Sequence, residues 1–317
     1  MLYTLLKIPA KLALYFYCRK IIINQIELLQ SNGPLLIAAN HPNSFLDAVI
    51  LATLFKHPIY SLARGDAFVN NFYKRLLYSL NMLPVYRISE GAENLENNYT
   101  TFSACIDIFK KNGIVLIFSE GRCTNEWHLR PLKKGTARLA ISAWQQGIPL
   151  KVIPLGINYS SFRMFGKNVI LNFGEILEKE SFTEPMPAGE AITAFNLKLQ
   201  PQLKTLVIEA KVTDKEKIKK IFFVQQSLIK KILLFIPAII GWVLHAPLYY
   251  PVIILIKNRA KDHYDSIVVG LLFTLYPIYL LGITITVYFI IVNWWAFLLF
   301  LIFPFSAWSC LQLKRQI

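Results

Sequence analysis

Cysteine is scarce in this chain: Cys18, Cys105, Cys123 and Cys310 are the four in 317 residues. They are scattered and form no Cys-x-x-Cys pair, so neither a metal site nor a disulfide framework is indicated. Such usage suits a reducing compartment. Acidic residues are also few, 19 Asp and Glu against 34 Lys and Arg, a net charge of +15. No zinc spacing, recognition-helix signature or RNA-binding block accompanies that charge, which argues against nucleic acid as the partner. The apolar N-terminus is punctuated by Lys7, Lys11, Arg19 and Lys20, and no small-residue cleavage site follows. Residues 1–30 therefore read as an interfacial helix, with a signal peptide disfavoured. A Gly-x-Ser-x-Gly elbow is missing too, which argues against a hydrolase with a covalent serine intermediate.

What is abundant is apolar residues, at 55% of the chain. The excess sits at the C-terminus, so a polar domain followed by a membrane part is expected. Three apolar stretches occupy residues 232–317: Ile232 to Ile256 with Pro237, Pro247, Pro251 and His245; Ile267 to Val292; and Trp295 to Leu313. The latter two are long enough to cross a ~30 Å hydrocarbon core at about 20 residues each. His245 is a costly residue for a membrane segment, a mark of function or of interfacial placement. Residues 176–231 form a basic helical connector, and its Lys215, Lys217, Lys219, Lys220, Lys230 and Lys231 suit anionic lipid. The connector, the polar loop after Ile256 and the tail Lys314-Arg315 are all basic, which places them on the cytoplasmic side. The first stretch must then enter and leave on one side, and its prolines suit a re-entrant or interfacial helix.

Residues 31–175 alternate short apolar runs with helical patterns, the signature of an α/β sheet. Strands are expected at Leu35–Ala39, Ile59–Ala63, Leu83–Arg87, Ile114–Phe118, Val152–Asn158 and Val169–Phe173. The first of these ends in Asn40-His41-Pro42-Asn43-Ser44-Phe45-Leu46-Asp47, and the fourth in Ser119-Glu120-Gly121-Arg122. Open α/β sheets build their sites from polar groups at strand C-termini. A His held by a carboxylate suits removal of a proton from a hydroxyl. On one continuous helix, six positions at ~100° each would set His41 and Asp47 about 120° apart. Pro42 disfavours helix at His41. His41 is therefore expected on the loop and Asp47 in the first turns of the next helix, where they converge.

These residues resemble the glycerophosphate acyltransferase family, whose first block is a His and an Asp among small and apolar residues. Most members separate the two by four residues, and this chain has five between them. Some glycerol-3-phosphate and dihydroxyacetone-phosphate acyltransferases share the longer gap. The family's third block, usually Pro-Glu-Gly-Thr-Arg, is resembled by Ser119-Glu120-Gly121-Arg122, with Ser119 in place of Pro and Arg122 directly after Gly121. Leu83-Pro84-Val85-Tyr86-Arg87 stands at the second block and Val152-Ile153-Pro154-Leu155 at the fourth. The resemblance implies a mixed sheet flanked by helices, with His41 as base and Asp47 as its partner. It further implies substrate contacts from Asn43, Ser44, Arg87, Glu120, Gly121 and Arg122, and an acyl pocket near Pro154. Lys133 and Lys134, before a helix N-terminus, add charge for a phosphate.

The expected function is transfer of a fatty acyl group from an acyl thioester to the hydroxyl of glycerol 3-phosphate, in phospholipid biosynthesis at a membrane. The alternatives are acylation of the 1-acyl derivative to phosphatidic acid, a phospholipid transacylase, and a non-catalytic lipid-binding scaffold. No metal or redox cofactor is expected. Acyl-CoA or acyl-carrier protein would be the co-substrate, and anionic membrane lipids the other partner. Cys123 could carry an acyl group, but a small apolar residue is the plainer reading.

Overall fold

The computed structural model describes residues 2–86, 97–182, 187–257 and 261–316. In chain order the elements are α1 (Leu2–Tyr17), β1 (Cys18–Ile23), β2 (Leu35–Ala39), α2 (Phe45–Leu54), β3 (Ile59–Arg64), α3 (Asn71–Ser79) and β4 (Met82–Val85). These are followed by α4 (Asn97–Lys110), β5 (Ile114–Phe118), α5 (Gly135–Gln145), β6 (Lys151–Tyr159), β7 (Lys167–Phe173), α6 (Ala188–Leu206) and α7 (Lys215–Phe222). The last three helices are α8 (Leu228–Ile256), α9 (Tyr264–Ile291) and α10 (Leu299–Leu313).

The sheet has the order β1-β7-β6-β2-β5-β3-β4. Every pairing is parallel except β6 with β7, so the sheet is mixed, as expected. β2 is central and every residue of it is buried. Successive side chains point to opposite faces. Leu35, Ile37 and Ala39 enter a core with α1, α2 and the ends of α8 and α9, through Val252, Ile256, Tyr264 and Val268. Leu36 and Ala38 enter a second core with α4, α5 and α6. A strand covered on both faces reads as a continuous apolar run, which is why it was visible in the sequence.

Two differences from expectation concern the edges of the domain. Residues 1–30 are not one helix, because the chain turns at Tyr17 into β1, an edge strand paired with β7. The connector is not wholly solvated either. Phe195, Leu199 and Leu203 of α6 are fully buried against the sheet, on the one face that a four-residue spacing defines.

Three helices are long and apolar enough to cross a membrane: Leu228–Ile256, Tyr264–Ile291 and the last, Trp294–Leu313, counted with its leading 3-10 turn. α8 runs unbroken through Pro237, Pro247 and Pro251, the stretch read from sequence as a re-entrant or interfacial helix. His245 lies mid-helix, with Nδ1 at 2.7 Å from the Gly241 carbonyl and its ring stacked on Tyr276. Both flanks of α8 nevertheless meet the sheet domain. Val224 precedes the helix and donates to Gln316, which also takes a bond from Asn168 of β7. Asp262 follows it and accepts from Asn125.

Candidate active site

The site forms where β2 and β5 end side by side. Asn40 extends the ladder between β2 and β6: its Nδ2 donates to Ile157 O at 3.1 Å and its Oδ1 accepts from Ile157 N at 2.7 Å. The chain leaves the sheet at His41, whose ring stacks on Phe118 at a centroid distance of 3.7 Å. The His41 N–H donates to Glu120 Oε2, and Arg130 N–H donates to Oε1, both at 2.7 Å. Glu120 thus pins the His41 backbone to the loop that follows β5. Burial raises its carboxyl above the ordinary value, although the two N–H groups oppose that shift.

His41 and Asp47 converge as expected. His41 Nδ1 lies 2.9 Å from Asp47 Oδ2. The Asp47 side chain is fully buried, and the His41 side chain keeps 17% exposure. Asp47 also accepts from Asn43 N at 2.9 Å and from the Tyr159 hydroxyl at 2.7 Å. A carboxylate with three donors around it has one orientation, and it fixes the imidazole tautomer with hydrogen on Nδ1. Nε2 is then the nitrogen with a lone pair for a substrate hydroxyl. Burial and the neighbouring Asp47 push the Tyr159 hydroxyl well above its ordinary value, so it stays a donor.

Ser44 links the turn to its surroundings. It has φ 56° and ψ −137°, a conformation that side chains rarely adopt and that the surroundings must enforce. Its N–H points at Cys123 Sγ at 3.0 Å, and its Oγ lies 2.6 Å from His263 Nδ1. Cys123 is buried, with burial pushing its thiol well up. An acyl-carrying thiolate is not available there at neutral pH.

This geometry gives several of the expected substrate contacts partners within the protein. Asn43 is fully buried, and its Nδ2 donates to Asp265, so it holds the turn and does not face a substrate. Glu120 is likewise spent on two backbone groups. Pro154 sits in the middle of β6 opposite Ala38 and is not part of the lining of the apolar cavity described next. An apolar cavity of ≈ 240 Å³ lies elsewhere, bounded by α1, α2, β3, β4 and α9. Phe45 and Leu46 stand at one end of its lining and Tyr3, Leu6 and Ala10 at another.

The cationic residues are placed unevenly. Arg122, Lys133 and Lys134 are exposed. Gly121 has φ +65°, and a Cβ there would come 3.0 Å from Lys133 Cγ, so Lys133 lies over that glycine. Lys134 caps α5 without a side-chain bond. Arg87 lies outside the described residues. Tyr159, Asp265, Tyr17 and Lys167 were not anticipated. The only sequence signal for Tyr159 is its place at the end of β6, beside β2.

A family model described as Acyltransferase matches residues 20–158. No curated protein matches the chain. Among solved structures, the chain is similar to the 1-acyl-sn-glycerophosphate (LPA) acyltransferase PlsC from Thermotoga maritima. That likeness has a TM-score of 0.42 at 14% identity, covering 64% of this chain and 79% of that one. The segment that carries His41, Asp47 and Glu120 thus lies within the part of the chain that is similar to the Acyltransferase family.

Proposed function

We propose that this acyltransferase moves a fatty acyl group from an acyl thioester to a hydroxyl of glycerol 3-phosphate at a membrane surface. The observation that carries the reading is the His41–Asp47 pair, with Nδ1 held at 2.9 Å and the ring partly open to solvent. His41 Nε2 takes the proton of the acceptor hydroxyl as its oxygen attacks the thioester carbonyl carbon. A C–O bond forms, the C–S bond breaks, and the proton passes from the imidazolium to the leaving thiolate. Asp47 stabilises the imidazolium without moving. Arg122 and Lys133, exposed beside Gly121, supply donors for the acceptor phosphate, and the N-terminus of α5 adds its dipole.

The cavity behind Phe45 and Leu46 is lined almost wholly by apolar side chains, among them Val49, Ala52, Ile59 and Val269. It suits the acyl chain, a role first assigned to the neighbourhood of Pro154. The three apolar helices keep the domain at the bilayer where acyl product accumulates, and the basic connector faces anionic lipid on the cytoplasmic side.

The experiment is acyl transfer by detergent-purified full-length protein, with a long-chain acyl-CoA or acyl-carrier protein as donor. Glycerol 3-phosphate and its 1-acyl derivative are offered in parallel. Lysophosphatidate formed from glycerol 3-phosphate supports the reading. Phosphatidate formed only from the 1-acyl acceptor moves the enzyme to the second acylation. Turnover that needs a phospholipid donor makes it a transacylase.

A further inference from the structure

We propose that Asp265 is a positioning residue for the His41–Asp47 pair, so that the base of the second apolar helix belongs to the active site. The inference rests on the acyltransferase reading above. Asp265 stands in the first turn of α9 and is fully buried. Its Oδ1 accepts from the Tyr17 hydroxyl at 2.6 Å. Its Oδ2 accepts from Asn43 Nδ2 at 2.7 Å and pairs with the buried Lys167 ammonium. The backbone N–H of the same Asn43 donates to Asp47 Oδ2, the oxygen that faces His41 Nδ1. One residue therefore separates Asp265 from the oxygen that orients the base.

Neighbours of Asp265 grip the same turn. Ser266 Oγ accepts from Leu46 N at 3.1 Å and donates to Asn43 O at 3.3 Å. Asp262 Oδ1 accepts from Asn125 N at 3.2 Å, and Asn125 Nδ2 donates to Pro42 O at 2.7 Å. The turn from Pro42 to Leu46 is thus held at three points by the start of α9. A helix serving only as an anchor has no use for a buried carboxylate inside the domain, because burying that charge is costly unless it is fully paired. This carboxylate is paired, and one of its partners is the turn that carries the strained Ser44.

The test uses full-length protein in detergent and steady-state kinetics with a long-chain acyl donor and a glycerophosphate acceptor. Asp265→Leu alone would strand the Lys167 charge, so the pair is removed together as Lys167→Met/Asp265→Leu. The companion variant, Lys167→Met/Asp265→Asn, keeps an acceptor for Asn43. Thermal unfolding and gel filtration check that both fold. The leucine variant is expected to lose roughly 10- to 100-fold in kcat, with KM for both substrates within about twofold of wild type. The asparagine variant is expected to recover most of kcat. Adding Asn43→Ser to the leucine variant is expected to cost little more, since both changes cut one link.

A folded leucine variant with wild-type kcat overturns the proposal. So does a loss confined to KM, or a loss additive with Asn43→Ser. If the leucine variant does not fold, Asn43→Ser alone reads the same link, and an unchanged kcat in that variant overturns the proposal. Wild-type protein inactive with every donor and acceptor sinks the acyltransferase reading itself, an outcome distinct from equal activity in wild type and variant.

Discussion

The Tyr159 hydroxyl donates to Asp47 Oδ1 at 2.7 Å while His41 Nδ1 faces the other oxygen at 2.9 Å. The two contacts lock the carboxylate from opposite sides. Tyr159→Phe leaves a buried carboxylate oxygen without its donor, which costs about 1–3 kcal/mol of stability. It also frees Asp47 to rotate, so kcat is expected to fall about tenfold with KM unchanged. Initial rates and thermal unfolding measure the two effects separately.

Glu120 gives a pH dependence with a definite sign. Burial raises its carboxyl, so the folded protein holds that proton more tightly than the unfolded chain. The resulting stability contribution is full below the unfolded value, about 4.3. It is lost as pH rises through the raised folded value. Glu120→Gln removes this drift. The melting temperature of wild type minus that of the variant is therefore expected to decline as pH rises above about 4.3 and through the raised folded value. A difference that stays flat, or rises with pH, contradicts the assignment.

Ser44 stores strain at the turn between His41 and Asp47. Ser44→Gly relieves the backbone, a gain of about 1 kcal/mol. It also removes the hydroxyl that meets His263. The expected outcome is a protein that is more stable and less active, read by thermal unfolding beside kcat.

The cavity between α1, α2 and α9 makes a claim about chain length. Ala10 of α1 lines it, and Ala10→Phe fills part of it. The variant is expected to favour medium-chain over long-chain acyl donors, with the ratio of kcat/KM shifting by about tenfold. An unchanged chain-length profile places the acyl group elsewhere.

The sequence was legible where a local pattern decides the structure. β2 and β5 are apolar throughout because helices cover both faces, and Pro42 after His41 explains why the His leaves the sheet before the helix begins. β1 escaped because Arg19 and Lys20 interrupt it and its partner, β7, lies far along the chain. The apolar face of α6 was diluted by lysine, glutamine and Pro201. Asn43 and Glu120 read as substrate contacts because polar residues beside a candidate base look alike whether they face solvent or the backbone. Only the fold shows that Glu120 spends its oxygens on His41 and Arg130, and Asn43 its amide on Asp265. Tyr159, Lys167 and Asp265 had no local signal, because each acts through a partner distant in sequence.

The most direct measurement compares wild type with His41→Ala in acyl transfer to glycerol 3-phosphate, while following membrane association of both proteins. The expected result is lysophosphatidate from wild type, loss of turnover in the variant, and equal membrane association. Equal turnover in the two proteins would contradict His41 as the base. Membrane association without turnover in either would make the chain a lipid-binding scaffold.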